Sequence, residues 1–544
     1  MTFPRKIGLV LLLVAVAAAL AYRQELSLPS LRWFFSFGAT PDQIFEAPEK
    51  GHLIEFHFGL QLFQWIPVDW KWVRTHQAEL VGYSICGAAV LLAFGLFIFG
   101  GKFQWNPLTL RRFARFRSIG RGWVSFRLLM VLLAVTLLDQ AVVGKRALAV
   151  KYQGRWHFPA FEVKTYKEQD FGGEGLQEAD YRALGKRFKE AKDGNSVIMP
   201  PVPWDPVLDT DELEKRELIM REGLLYRGKN DSEPFNGYAV QYWKESADTK
   251  MRDARFRSGL REGPATLFDS KGEFTGKQSW HEGKLVETSV EDTAPSADGQ
   301  PWIEVIYKPA SPSWAAHHYL GTDARGWDIA AGLLGGLQVI FKAAFCYILL
   351  IYGTGITIGC MMGYFGGTFD LVMDRVVEII SNVPFLLVVM IVISNIGRDN
   401  VDLTTILLIF CVFQWIGVSV YLRSATYREK ARDYVAAARV QGAGTGRVIF
   451  RHILPNAIST IVTLLPFSVA GLATSLTALD FLGFGLPDRY PSWGRVLEQG
   501  TSNLNAPWIV SSVFAFMVTV LLLITFVGEA VREAFDPKKF TTYQ

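Results

Sequence analysis

The chain alternates between long apolar runs that are almost free of charge and segments rich in charged and turn-forming residues. About 20 helical residues cross the roughly 30 Å hydrocarbon core of a bilayer, and soluble helices seldom stay apolar on every face over that length. Eight runs predict membrane spans: Ile7–Ala21, Leu80–Gly100, Val124–Val143, Gln338–Tyr364, Ile379–Ile396, Leu403–Leu422, Ala457–Leu479 and Pro507–Val527. The pattern therefore predicts an all-α polytopic membrane protein.

The first run allows two interpretations. Ile7–Ala21 follows Arg5 and Lys6 and ends in Ala-Leu-Ala. A basic start, a short apolar stretch and small residues at its end are typical of a cleavable signal peptide, but they also suit a retained anchor. Either interpretation leaves the following segment on the same side of the membrane, so the predicted topology does not depend on the choice.

Basic residues predict the orientation of the spans. Between the second and third runs there is no acid from 101 to 123, and the basic residues are Lys102, Arg111, Arg112, Arg115, Arg117 and Arg121. Between the sixth and seventh runs they are Arg423, Arg428, Lys430, Arg432, Arg439, Arg447 and Arg451. Lys and Arg are enriched in cytoplasmic loops, so both segments are predicted to be cytoplasmic and about 145–337 to lie outside. Four predicted spans separate the two segments. An even number of crossings places both on the same side of the membrane, which agrees with their shared basic charge.

The outer segment contains a weak internal repeat. Phe235-Asn236-Gly237-Tyr238-Ala239 is followed 26 residues later by Arg261-Glu262-Gly263-Pro264-Ala265, and each copy continues into alternating residues and an aromatic that precedes a Gly turn. This pattern predicts stacked β-hairpins. It resembles the hairpin repeats of the MORN family over about 223–287, and an ordinary β-rich insert is the alternative.

Composition and charge restrict the function. The 544 residues are 50% hydrophobic and 20% charged, with a mean hydropathy of +0.18 and a net charge of +4. A strongly basic nucleic-acid binder and an acidic disordered chain are thereby excluded, and four cysteines exclude a disulfide-rich fold. The chain has no phosphate-binding G-x-x-x-x-G-K-[ST] motif and no Cys/His metal-ligand spacing, so we predict neither catalysis nor a metal site in it.

The most informative cytoplasmic segment is REKARDYVAAARVQGAGTGRVIFRHILPN, from Arg428 to Asn456. Ala436 to Ala438 provide a smooth helix face that a partner can approach closely. Gly442 and Gly444 break the helix, and Pro455 can start the next span where its missing N–H costs little. The segment predicts a short helix at the membrane base that fits a groove in a partner.

These residues resemble the E-A-A-x-x-x-G coupling loop of ABC importer permeases, with Ala437, Ala438 and Gly442 in register. Ala436 stands where the family has Glu, and Asp433 is the acid that could replace it. The resemblance implies a coupling loop at 423–455 that contacts an ATPase through Asp433, Ala437, Ala438, Gly442, Arg447, Arg451 and Pro455.

Further motifs extend the resemblance to the dipeptide and oligopeptide permeases. His318 begins a stretch similar to H-x-L-G-T-D-x-x-G-R-D, with Trp327 in place of Arg. Its matching residues, which we expect to form the outer family signature, are Gly321, Thr322, Asp323, Gly326 and Asp328. Leu479–Pro487 and Pro491–Gly494 fit the family's outer loop. The run Tyr152–Pro159 is similar to the Yej-type permeases, a group of inner-membrane importers for peptides and microcin C.

The resemblance implies a type I ABC importer transmembrane fold of about 8 spans with an inserted β-rich periplasmic domain, in a bacterial inner membrane. It divides the chain into a two-span extension (1–100), a basic segment with the first family span (101–144), a periplasmic domain (145–325) and a permease core (326–544). The implied function is import of oligopeptides or microcin C-like compounds.

The implied partners are ABC ATPase subunits, a second permease, a periplasmic peptide-binding protein and membrane lipid. ATP and magnesium would be bound by the ATPase, with no cofactor on this chain. Polar or helix-breaking residues in the spans are candidates for the pore lining: Asn382, Pro384, Gln414 and Ser475. Two other interpretations are a secondary transporter or channel, and a membrane-anchored scaffold or receptor that acts through the hairpin domain.

Overall fold

The fold is that of a computed structural model, which describes residues 3–23, 87, 89–94, 107–162, 164–173, 178–207, 213–228, 231–243, 246–269, 274–288, 300–307, 309–397 and 401–535. Most of the predicted span Leu80–Gly100 lies outside the described residues. The chain forms two compact units. The helical unit comprises Met1–Asp209, Pro312–Gly321 and Asp328–Gln544, and the sheet unit comprises Thr210–Ser311 and Thr322–Trp327. The segment predicted as one outer domain is thus divided between the two units.

Long apolar helices dominate the helical unit. In chain order the helices are α1 (Phe3–Arg23), α2 (Pro107–Ser118), α3 (Gly120–Leu138), α4 (Tyr181–Ala191), α5 (Ile329–Tyr347), α6 (Gly353–Phe365), α7 (Gly367–Ser381), α8 (Phe385–Ile396), α9 (Leu403–Lys430), α10 (Asp433–Val440), α11 (Thr445–Arg447), α12 (Leu454–Phe481), α13 (Trp493–Ser502) and α14 (Pro507–Phe535). π-Helical turns at Ile348–Tyr352 and Val448–Ile453 join α5 to α6 and α11 to α12.

Within the described residues, five helical segments are long and apolar enough to cross a membrane: Gly120–Leu138, Ile329–Phe365, Leu403–Lys430, Ile461–Phe481 and Pro507–Phe535. The bent pair α7 and α8 brings the number to six if it counts as one span. These segments correspond to the last six predicted spans. The first predicted run lies within α1, where Gly8–Ala17 is found as a shorter apolar stretch among the described residues.

The predicted span Ile379–Ile396 is wrong as a single helix. α7 ends at Ser381 and α8 begins at Phe385, and the two helices meet at 69°. Pro384 accounts for the break, because it has no N–H to donate and its ring disfavours a helical conformation at the preceding residue. A hydropathy pattern does not detect such a bend, since the residues on both sides are equally apolar.

The predicted span Val124–Val143 is displaced at both ends. The helix begins earlier, at Gly120, and ends at Leu138. Asp139 then starts a short 3₁₀ turn, and Val143 forms a β-bridge with Val202. The last apolar residues of the run therefore belong to a non-membrane part of the helical unit, which also contains α4 and a three-stranded sheet of order 155–157, 149–152, 196–198.

Close packing of α6 on α9 forms the centre of the helical unit. Gly355, Gly359 and Gly363 recur every fourth residue of α6 and so lie on one face. A Cβ at Gly359 would lie 2.5 Å from the carbonyl oxygen of Ser419, and a Cβ at Gly363 would lie 2.6 Å from that of Arg423. Only glycine allows the two backbones this distance, as in other membrane helix pairs built on small residues.

The sheet unit is an antiparallel seven-stranded sheet of order β11-β10-β9-β8-β7-β12-β4, with a separate hairpin β5-β6. The strands of the chain are β1 (Ala149–Tyr152), β2 (Arg155–His157), β3 (Ser196–Ile198), β4 (Leu213–Glu217), β5 (Ile219–Arg221), β6 (Leu224–Tyr226), β7 (Gly237–Trp243), β8 (Ser246–Arg257), β9 (Leu260–Phe268), β10 (Phe274–His281), β11 (Lys284–Thr288) and β12 (Ile303–Tyr307).

The predicted hairpins with Gly turns are confirmed in this sheet. Ser258-Gly259 connects β8 to β9 and Glu282-Gly283 connects β10 to β11, and all four residues have positive φ angles. Two consecutive residues with positive φ form a type I′ turn, whose twist matches that of the flanking strands. The assignment of the repeat to the MORN class stays a prediction.

Candidate coupling site

The short helix α10 ends in a Schellman turn centred on Gly442. The N–H of Gly442 donates to the carbonyl of Arg439 at 2.9 Å, and that of Ala443 donates to the carbonyl of Ala438 at 3.0 Å. Gly442 has φ +79°, a conformation that is unfavourable for residues with a Cβ. The structure thus places the predicted helix break at Gly442, whereas Gly444 has an ordinary extended backbone and caps α11.

The two alanines of the predicted motif differ in burial, because α10 turns about 100° between them. Ala438 is buried, as is Val435 one turn earlier, which packs against Val448 and Ile453 of the π-helical turn. Ala437 is exposed, as are the neighbouring side chains of Ala436 and, one turn further, Val440. Ala438 therefore holds the helix in place, and Ala437 belongs to the surface that is available to a partner.

We name this exposed side of α10 the partner surface and define it as Ala436, Ala437, Val440 and Gln441. Its side chains are short or of medium size, and none is charged. Val440 is 89% exposed, which is unusual for an apolar side chain of its size. Asp433 is exposed in the first turn of α10, where a negative charge is favourable near the helix N-terminus. The exposed side of α10 therefore carries an acid at its N-terminal end and an exposed apolar side chain near its C-terminal end.

Contacts with neighbouring helices fix α10 to the ends of the spans. The Tyr434 hydroxyl donates to the carboxylate of Glu429, near the end of α9, at 2.7 Å. Burial and this hydrogen bond raise the pKa of Tyr434 to about 12, so the hydroxyl stays protonated. The Arg439 guanidinium lies 4.9 Å from the ring of Tyr364 in α6, and the Lys430 ammonium 5.7 Å from the same ring.

The remaining predicted coupling residues follow on the same segment. Arg447 and Arg451 are both exposed, at the end of α11 and in the π-helical turn, and Phe450 between them is 53% exposed. Pro455 is exposed in the first turn of α12, as its sequence position predicts. Asp433–Pro455 therefore forms one compact segment whose exposed side chains are mostly apolar and basic.

The outer signature residues shape backbone turns. In the helical unit, Asp328 caps the N-terminus of α5 by accepting from the N–H of Ala331 at 2.7 Å. Its second oxygen lies 2.8 Å from Nδ1 of His318, whose ring stacks on Trp204. Gly321 accepts from the N–H of Ile329 at 3.0 Å and has φ +78°.

In the sheet unit, the rest of the signature closes a tight loop. Asp323 accepts from the N–H groups of Arg325 at 2.8 Å and Trp327 at 3.0 Å, and Gly326 has φ +78°. Thr322 accepts from the N–H of Ala310 at 2.6 Å. Each signature residue therefore forms hydrogen bonds with backbone groups or has a turn conformation. Such contacts are typical of a motif that stabilises the fold.

The four pore candidates are not brought together by hydrogen bonds in the part of the chain described here. Asn382 is exposed at the bend between α7 and α8, where its amide donates to the carbonyl of Glu378 at 2.8 Å. Pro384 is exposed at the start of α8. Gln414 in α9 and Ser475 in α12 are half-buried. Their role in a substrate path stays a prediction.

Two polar clusters were not predicted as structural centres. Arg423 of α9 pairs with Asp370 and Asp374 of α7, at 2.7 Å in each case. Asp480 is buried and accepts from the N–H of Leu486 at 2.7 Å and from the hydroxyl of Ser492. Acidic residues next to apolar runs were the available signal, but their partners lie 6 to 53 residues away in the sequence.

Comparison with known proteins identifies the family. Residues 355–541 match the family profile described as "Binding-protein-dependent transport system inner membrane component". The Escherichia coli inner membrane ABC transporter permease protein YejE is 30% identical, and the match covers 80% of this chain and 98% of that protein. The Agrobacterium fabrum peptidoglycan transport system permease protein YejE is 29% identical, with 80% and 95% covered.

A second group of relatives matches a shorter part. The Lactococcus lactis oligopeptide transport system permease protein OppC is 32% identical over 227 residues, which are 41% of this chain and 76% of OppC. The matched relatives are transport permeases and do not favour the interpretation as a scaffold or receptor. With its several apolar spans and its match to YejE over nearly the whole of that protein, the chain belongs to the binding-protein-dependent inner-membrane transport components, as an ABC transporter permease of the YejE type.

Proposed function

We propose that this chain is a permease subunit of an ATP-driven importer for oligopeptides or peptide-like compounds. Its relatives include permeases named for oligopeptide and peptidoglycan transport. Peptides and peptide-bearing cell-wall fragments share an amide backbone, which is the substrate class that we assign. The proposed partners are ABC ATPase subunits, which bind ATP and magnesium, a second permease and a periplasmic peptide-binding protein.

The observation that carries this proposal is the fixed, exposed helix α10. Its partner surface consists of two alanines, Val440 and Gln441 and carries no charge, so a groove on an ATPase can close around it. Its inner face and its ion–aromatic contacts connect it to the ends of α6, α9 and α12. A displacement of α10 by the ATPase would therefore move several spans together.

Energy transfer follows from differential binding. A ligand shifts a conformational equilibrium only by the difference between its affinities for the two states. ATP would favour the closed ATPase dimer, and the closed dimer would hold α10 in a position that differs from its resting one. The rigid turn at Gly442 transmits this change, because a flexible connection would absorb it.

Affinity purification of the chain from membranes tests the assembly. We expect two nucleotide-binding subunits, or a fused one, and a second permease to co-purify in defined ratio. Recovery of the chain alone, under conditions mild enough to keep other transporter complexes intact, would contradict the proposal.

Substitutions at Gly442 test the coupling itself in proteoliposomes. Gly442→Ala forces a Cβ into a left-handed conformation at a cost of about 1–2 kcal/mol, and Gly442→Asn costs less because Asn tolerates that region. We expect Ala, and still more Arg, to leave ATP hydrolysis running while uptake falls, and Asn to retain most uptake.

Gly446→Ala is the matched control. Gly446 has ordinary φ and open space around the added Cβ, so uptake should be unchanged. Equal uptake by the Gly442→Arg variant and the wild type would exclude α10 from the coupling path.

A further inference from the structure

A basic amphipathic helix lies beside the first family span. α2 packs on the last span through Phe116, which is buried with Ala530 and Ala534 of α14. Other side chains of α2 face away from the protein: Leu110 is 52% exposed and Phe113 57% exposed. A helix with apolar residues exposed among arginines is typical of one that lies in the interface of a bilayer.

The exposed stripe of α3 contains a charge. Val124, Arg127, Leu128 and Val131 recur at helical spacing, and all four are exposed. The opposite side of α3 is buried, since a Cβ at Gly122 would overlap with Ala530. Arg127 lies seven residues into the span, about 10 Å along the helix from Gly120. A cation at that depth is costly unless it extends to the headgroup layer and finds an anion there.

The side chain of Arg127 does extend towards the start of the span. Its guanidinium lies 5.9 Å from the ring of Trp123, and the guanidinium of Arg117 from α2 lies 5.8 Å from the same ring. Trp123 is held by Phe113 and Phe116 edge-to-face and by Phe126 in a stacked arrangement. Two cations thus converge on one rigid indole at the level of the interface.

Neither of these arginines has an acidic partner among the described residues. Their neighbour Arg121, in contrast, lies 3.6 Å from Glu529 of α14. Among the described residues, both guanidinium groups lie near the indole and neither forms an ion pair with Glu529 or Glu533 of the adjacent helix. The charge of the pair is therefore not neutralised within the described part of the chain and is available to an anionic ligand.

We propose that Arg117, Trp123 and Arg127 form a binding site for the phosphate of an anionic phospholipid. Guanidinium groups bind phosphate through paired N–H donors, and Trp side chains favour the membrane interface. The exposed Leu110 and Phe113 would lie against the acyl chains of the same lipid. Two unpaired cations favour a lipid with net negative charge over a zwitterionic one, because the zwitterion carries its own ammonium.

The test uses the purified transporter complex reconstituted with spin-labelled phosphatidylglycerol or phosphatidylcholine. Electron paramagnetic resonance gives the preference of the protein for the anionic lipid. Removal of one basic residue near an anionic membrane surface costs about 1 kcal/mol, which corresponds to about a fivefold loss of relative affinity. We expect R117Q and R127Q each to lower the preference by about this factor, and R127K to lower it less.

Arg111→Gln is the matched control, because it removes an equal charge from an exposed position of α2 six residues before Arg117. It should leave the preference unchanged, and thermal unfolding of the complex should be the same for all variants. An unchanged preference in R127Q, or an equal loss in R111Q, would overturn the proposal.

Two further results would also overturn it. Displacement of the labelled lipid by inorganic phosphate, at an ionic strength matched with chloride, would indicate a site for free anions. Capture of the second permease by a photoreactive residue at position 127 would indicate a subunit interface.

Discussion

Arg423 forms a two-point ion pair with Asp370, in which Nη2 donates to Oδ2 at 2.7 Å and Nε lies 2.7 Å from Oδ1. The Tyr427 hydroxyl donates to the same carboxylate at 2.6 Å. The pair joins α7 to α9 at the end of α9 that leads into α10. Because α9 also packs on the glycines of α6, this contact extends the rigid body attached to the coupling segment to a third helix.

Asp370→Asn should destabilise this junction. Asp370 is buried, and its loss leaves the Arg423 guanidinium with Asp374 as its remaining acidic partner. We expect a loss of about 1–3 kcal/mol, below the range for fully buried pairs, because Arg423 is partly exposed. The measurement is the apparent Tm of the detergent-solubilised complex. Arg375→Gln, which removes an exposed pair with Glu378, is the control and should lower the Tm little.

Gly359→Ala should separate α6 from α9. The added Cβ would lie 2.5 Å from the Ser419 carbonyl oxygen and 2.9 Å from the Leu422 Cβ, and backbone cannot yield as a flexible side chain can. Overpacking of this kind costs about 1–3 kcal/mol, so the variant should have a lower Tm and a lower yield from membranes. Gly353→Ala in the same helix meets nothing within 4 Å. If both variants behaved alike, the close packing would not be the cause.

The β10–β11 hairpin of the sheet unit should respond to acid. The N–H of Glu282 donates to Glu262 at 2.8 Å and His281 lies 2.9 Å from it, and these contacts hold the pKa of Glu262 below its ordinary value. A lowered folded-state pKa means that the stabilisation is complete above the unfolded value of about 4.3 and is lost as the pH falls through the folded value.

Hydrogen exchange of this hairpin between pH 7 and pH 3 provides the measurement. Protection should fall at the acidic end in the wild type, and Glu262→Gln should have reduced protection at neutral pH with a flatter profile. Glu282→Gln keeps the backbone donor and should resemble the wild type. A Glu262→Gln profile identical to that of the wild type would exclude the carboxylate as the responsible group.

Much of the helical architecture could be predicted because hydropathy reports the environment of each residue directly. The runs at Leu403–Leu422 and Pro507–Val527 became helices, but both helices continue past the apolar run. Arg423 illustrates the reason. A charged residue ends the apolar run, but the helix continues because the Arg423 side chain is paired with Asp370. The bend at Pro384 was missed for the opposite reason, because the apolar signal continues through a break in the backbone.

For the candidate coupling site, the sequence predicted the segment that forms the short helix and its turn. It predicted the roles of single residues within that segment less well. The position of the turn at Gly442 followed from the residue type, because only glycine adopts that conformation readily. The different roles of Ala437 and Ala438 could not be predicted in this way, because the two residues are of the same type. They differ only in their position relative to the face of α10 that packs on Val448 and Ile453. The contact of Arg439 with Tyr364 spans 75 residues, a separation over which local patterns carry no information.

Photocrosslinking from position 440 tests the central claim most directly. Val440 is 89% exposed on the partner surface, and a photoreactive amino acid can replace it without disturbing the buried face. We predict a crosslink to a nucleotide-binding subunit whose yield changes when ATP is added, with no such product from Trp314, which is 82% exposed on the helical unit outside the coupling segment. The absence of an ATPase crosslink at position 440 in an active transporter, or an equal yield from position 314, would contradict the assignment of α10 as the coupling element.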